Sequence, residues 1–299
     1  MHARAFTHAI GKVFGNEEAF EQKFPSPVML MNPKFYHGST DGIVFLHLNC
    51  LQSLNLIGLI ALHLAKNAFN ISPKEAMPKL RLVFEEMFRY VSSKPDEEVV
   101  KGILPLPGVL ETLRKLAKEY SDCTIRALVT GNVEGAARIK MRACGVLDTG
   151  CLHPPASTQN WKGAEESAFL GGFGSDFCSG DIDDLSRIYK DRAEQIVIAY
   201  ERAKTFLRPG ERIARVVHVG DAPNDILAAR ECFEQNRFGE DVTVGCIGVV
   251  TGHFQKSELV AHTGEAIPGK WEPLVLEHGF CDSLFIEHAV RGVLQDSGV

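Results

Sequence analysis

From Leu104 onward the chain alternates short apolar runs of strand length with stretches whose apolar residues recur at helical spacing. A sequence patterned this way is expected to fold as successive strand–helix units, giving a parallel sheet with helices on both faces. The break at Pro107-Gly108 is followed by Val109, Leu110, Leu113 and Leu116, spaced as the apolar stripe of a helix. Residues 124–130 (TIRALVT) read as a strand ending at Gly131-Asn132, with a helix carrying Ala136, Ile139 and Cys144 beyond it. Residues 196–206 predict another helix, and the turn Pro209-Gly210 leads into a strand over 214–220 (ARVVHVG). A helix over 226–232, a strand over 242–250 (VTVGCIGVV) and a last short strand over 283–286 complete the series, before a frayed tail after Gln295.

The first hundred residues carry helical patterns instead, interrupted by Pro25, Pro27, Pro33 and the turn HGSTDG over 37–42. The best of these helices covers 78–91, with Leu80, Val83, Phe84, Met87 and Phe88 on one side and Pro78 in the first turn, where proline is tolerated. Residues 54–64 (LNLIGLIALHL) are the most apolar stretch, yet they contain Asn55 and His63 and fall short of the ~20 residues of a membrane-spanning helix. They read as a buried helix. Residues 148–180, rich in Gly and Ser with Pro154-Pro155, read as a mostly looped, exposed insertion. The organisation expected is a helical region over 1–103 and an α/β domain over 104–299, and 299 residues at 45% hydrophobic content suffice for both cores.

Charge and cysteine usage narrow the classes. A net charge of −6 with scattered Lys and Arg leaves no basic footprint, so nucleic acid is not an expected partner. The eight cysteines include no CxxC pair and several lie in apolar patterns, which suits buried thiols in a reducing compartment. The opening MHARAFTHAIGKVFG is amphipathic and lacks the apolar core of a secretory signal. A soluble, cytoplasmic protein with no membrane partner is the expectation; oligomeric state is not readable.

Two strand ends carry chemistry. In ARVVHVGDAPND an apolar strand runs into Gly220, Asp221 and, four residues on, Asp225. Ligands bind outside the carboxyl ends of strands in open α/β sheets, and closely spaced carboxylates suit Mg²⁺. The alternative is that Asp221 and Asp225 merely cap the next helix. In IRALVTGNV the Thr130 hydroxyl with the Gly131 and Asn132 amides is placed to hold a phosphate at a helix N-terminus, or, again, simply to cap it.

In order and spacing these segments resemble the haloacid dehalogenase-like hydrolase superfamily, whose second motif is an apolar strand ending in Thr or Ser and whose fourth is often GDxxxD. The lead-in LPLPGVLETLRKL (104–116), the loop GGFGSD (171–176) and VVTGHF (249–254) fit the same pattern, and HGSTDG is similar to a turn of the phosphoglycolate phosphatase-like group. The resemblance implies a three-layer Rossmannoid core with a parallel sheet over 104–299. It also implies a helical cap over 1–103, whose first helix belongs to the core. It implies an Mg²⁺-dependent phosphatase of a small phosphorylated metabolite, with Thr130 and Arg192 catalytic, Thr130, Gly131 and Asn132 on the phosphate, and Asp221 and Asp225 on the metal. Arg192 is the first choice for the positive residue that balances phosphate charge, Lys190 the second, and Lys140 is expected on a solvated face.

The family's nucleophile and general acid–base lie in a DxDGT-type motif on the first strand, at the centre of its sheet, and no such motif occurs here. Asp181-Ile182-Asp183 lies in a Gly- and Ser-rich loop with no strand to hold it, and at Asp41-Gly42 the apolar run follows the acid. The expectation is an N-terminally shortened product with Met1 an internal methionine, inactive as it stands, and an apolar insertion near 43–62. The alternative is a non-catalytic phosphate- or metabolite-binding, regulatory protein. Phosphoglycolate, a sugar phosphate or a phosphonate are open as substrates, with mutase chemistry a further alternative.

Overall fold

The computed structural model describes residues 2–15, 57–99, 101, 104–121, 123–149, 170–184, 186–251 and 254–291. The turn at 37–42, the insertion through residue 56, residues 150–169, Cys50, Cys151 and the tail after Gln295 lie outside the described residues.

The amino-terminal half is helical: α1 (His2–Phe14), α2 (Ile57–Phe69), α3 (Pro73–Ala76), α4 (Leu80–Ser92) and α5 (Asp96–Val99). Ser72 and Glu75 form a reciprocal capping box at the start of α3, with Pro73 at a position where no amide is needed. In α4 the buried side chains are Leu80, Val83, Phe84, Met87 and Val91, one face at helical spacing, while Phe88 is half-buried. They pack with Ala5, Phe6, Ala9 and Ile10 of α1 and with Ile57, Ile60, Ala61 and Leu64 of α2 in one apolar cluster. No helix among the described residues is long and apolar enough to cross a membrane.

The remainder is α/β: α6 (Val109–Glu119), β1 (Leu128–Thr130), α7 (Glu134–Ala143), β2 (Gly171–Phe173), α8 (Arg187–Lys204), β3 (Arg215–Gly220), α9 (Pro223–Glu234), β4 (Thr243–Val249), α10 (Lys256–Val260), β5 (Trp271–Leu276) and α11 (Leu284–Ala289). All named strands pair in parallel, in two sheets: β1-β2 and β3-β4-β5. Alternate residues of both sheets feed two apolar layers. Leu128, Phe173, Val219 and Ile247 pack with Leu113 of α6 and Phe285 of α11, whereas Val129, Val244 and Cys246 pack with Ile196 of α8 and Ile226 of α9. Both layers therefore run across the break between the sheets. The N-terminal cluster reaches α7 through Val133, Ala136 and Ile139, so α7 is packed between the helical half and the α/β half.

Several expectations are corrected. Only Leu128–Thr130 of the strand expected over 124–130 joins a ladder. The Thr124 hydroxyl donates instead to the Tyr120 carbonyl, and the Arg126 guanidinium to that of Leu116, both in the last turn of α6 or just past it. The helix expected from 196 begins at Arg187. Residues 283–286 do not form a strand: α11 begins at Leu284, whose amide donates to the Asp282 carboxylate just ahead of the cap position Ser283. Among the described residues the last strand is β5, concealed in the sequence by Pro273; β5 is an edge strand, where a residue lacking an amide is tolerated. The segment expected to be loop over 148–180 contains the buried strand β2.

Candidate functional site

Strand β3 delivers Asp221 to its carboxyl end, where the side chain is buried. The residue that caps α9 is Ala222, which makes no side-chain bond, so Asp221 is not the cap. Asp225 lies in the first turn of α9, where the helix dipole favours a carboxylate, and it is 0% exposed. Its carboxylate folds back over the end of β3, and any side-chain carbon on Gly220 would collide with it. Arg192 of α8 presents Nε 3.8 Å from Asp225 Oδ1, and His218 Nε2 lies 3.5 Å from the same oxygen.

Arg192 also reaches the other sheet. In β1 the Leu128 amide and the Thr130 carbonyl bond on the β2 side, to Leu170 and Gly174. The Val129 carbonyl therefore faces the opposite edge, and Arg192 Nη1 donates to it at 3.4 Å. At 1% exposure, this guanidinium links the edge of β1 beside Thr130 to the acid behind Asp221. The structure thus brings Thr130, Arg192, Asp221 and Asp225 to one region.

The loop after β1 is closed on itself. Thr130 Oγ1 accepts the Asn132 amide at 3.2 Å, Asn132 Oδ1 accepts the Val133 amide at 2.9 Å, and Ser175 Oγ accepts the Glu134 amide at 3.1 Å. Thr130 and Asn132 are buried and close the turn that leads into α7, whose cap position is Val133 and carries no side-chain bond. The Gly131 carbonyl accepts the Ile57 amide at 3.3 Å, joining this loop to the first residue of α2. Glu134 opens α7 beside Arg138, with which it forms an ion pair. Burial pushes the Glu134 carboxyl above its usual range, aided by Asp176 and opposed by Arg138 and Arg202.

Of the other basic candidates, Lys140 is 3% exposed and not on a solvated face, because α7 is buried all round from Glu134 to Met141. Lys190 sets its ammonium 5.9 Å from the centre of the Tyr189 ring. Asp181 accepts the amides of Asp183 and Asp184, and Asp184 accepts that of Ser186 just before α8, so this acidic run orders a loop and a helix start. Sequence reasoning passed over His218, the one polar side chain in VVHVG, and over Ser175, Asp176 and Arg202 around the GGFGSD loop.

Mg²⁺ takes an octahedral set of oxygens. Among the described residues no three His, Cys, Asp or Glu side chains form a metal-holding group, and Asp225 is already faced by a guanidinium. No step is routed through a bound Mg²⁺. No protein-family model matches the chain, and no curated protein matches it either.

Proposed function

We propose that the chain is a haloacid dehalogenase-like phosphoryl-handling protein, a phosphatase of small phosphorylated metabolites. Thr130 and Arg192 hold the phosphoryl group, with Gly131 and Asn132 beside it, and Asp221 with Asp225 lies on the metal side. The observation that carries this reading is the position of Arg192, which joins the edge of β1 beside Thr130 to the acid behind Asp221. A buried guanidinium between two strand ends is suited to compensating phosphoryl charge in a water-poor site. The break between β1 and β3 supports the same reading, because it falls where the resembled family carries its first strand.

A second reading, phosphate binding without turnover, is favoured by the engagement of Asp225 with Arg192 and by the lack, among the described residues, of a group of three acids. Phosphate release from p-nitrophenyl phosphate with Mg²⁺, measured beside orthovanadate binding by calorimetry, separates the two. Turnover lost in Arg192→Met and Thr130→Ala supports the phosphatase. Vanadate binding without turnover, weakened roughly tenfold or more by either substitution, supports the binder. Neither binding nor turnover in the wild-type chain sinks both.

A further inference from the structure

We infer that Asp176 and Arg202 are positioning residues for the Thr130–Asn132 loop, acting through Gly174 and Ser175; the inference rests on the phosphoryl-binding reading above. Arg202, in the last turn of α8, donates Nη1 to Asp176 Oδ2 at 2.7 Å and Nη2 to Oδ1 at 2.8 Å, and Nη1 also to the Gly171 carbonyl at 2.6 Å. Asp176 Oδ2 accepts the Phe173 amide at 2.9 Å, and the Asp176 amide donates to the Phe173 carbonyl at 2.9 Å. A two-point guanidinium–carboxylate pair of this kind fixes orientation as well as distance. It closes the turn at the end of β2 and anchors it to both β2 and α8.

The closed turn then shapes the loop after β1. The Gly174 amide donates to the Thr130 carbonyl at 2.8 Å and to that of Asn132 at 2.9 Å, drawing the two ends of the loop together. Only glycine allows this approach, since a side-chain carbon at 174 would collide with the Gly131 carbonyl. One residue on, Ser175 occupies the Glu134 amide. The turn thereby decides which carbonyls of the loop and which amide of the α7 N-terminus are taken inside the protein. Asp176 and Arg202 set that choice without belonging to the loop.

The test uses the full chain with assigned amide resonances. In Asp176→Asn and Arg202→Met the Gly131, Asn132 and Gly174 amide signals move without ligand. Orthovanadate affinity falls roughly tenfold, in the range found for residues that orient a ligand-binding group. Arg202→Lys, which keeps the charge without the fork, gives an intermediate result. Should the ion-pair variants unfold, Ser175→Ala leaves the pair intact and must shift the Glu134 and Asn132 signals together. Unmoved Gly131 and Asn132 signals in folded variants overturn the inference. A wild-type chain that binds no vanadate defeats the phosphoryl reading alone, because the amide signals still report the link between staple and loop.

Discussion

Asp225 illustrates how a buried charge depends on its neighbours. Its carboxylate is fully enclosed, faces Arg192 and His218, and tolerates that position because Gly220 leaves room and the α9 N-terminus favours negative charge. Removing one partner of a buried ion pair costs more than the pair contributes, since the remaining charge stays desolvated. Asp225→Ala is expected to lower stability by about 3 kcal/mol or more, read from urea midpoints; a loss below ~1 kcal/mol would refute the pairing with Arg192. Glu134 yields a pH prediction. Its carboxyl is raised above the ordinary 4.5 by burial, so the stabilising contribution is complete below that value and is lost as pH rises through the folded value. Glu134→Gln, which does not ionise, should therefore gain on the wild type as pH rises from 4 towards 7. A constant offset in melting temperature across that range would rule this out.

Elements carry the next level of constraint, and two glycines separate kinds of crowding. At Gly174 an added side-chain carbon meets the Gly131 backbone, which has no freedom to withdraw; at Gly135, inside α7, its nearest neighbours are atoms of the half-buried Phe88 ring. Gly174→Ala is expected to cost about 1–3 kcal/mol as an overpacked site. Gly135→Ala recovers up to ~1 kcal/mol of helix propensity against the cost of moving a ring. Equal melting temperatures for the two variants would contradict this. The same scale explains what could be read in advance. The stripes of α4 and α6 follow from periodicity, because each buries one face that the pattern records, and β3 and β4 follow from continuous apolar runs, as parallel strands covered on both faces do. β2 escaped notice because its three residues, Gly171–Phe173, present two glycines and no stripe. The Gly172 backbone also lies against the Gln195 carbonyl, a tertiary requirement with no local signal.

Across the whole molecule, burial sorts the thiols. Cys123 and Cys281 are exposed, burial raises Cys178 to about 11, and it raises Cys232 and Cys246 further still. Because the thiolate is the reactive form, a thiol moved from 9.0 to about 11 is roughly 100-fold less reactive near neutral pH. Alkylation with iodoacetamide followed by peptide mass mapping should label Cys123 and Cys281 first and Cys178 much later. Cys232 and Cys246 should react only after unfolding; labelling of Cys232 at the rate of Cys123 would contradict the packing of α8 on α9. The sequence by itself determined the alternation of strands and helices, the helical character of the first described segments, and the placement of Thr130 and Asp221 at strand ends. These depend on spacing along the chain, and spacing is written locally. Only the tertiary structure decided that β1 and β3 belong to separate sheets, that Arg192 spans them, and that Lys140 is enclosed. It alone also decided that the loop after β1 takes its shape from Asp176 and Arg202. Each of those outcomes sets side chains from distant segments against one another, and no local pattern encodes the meeting.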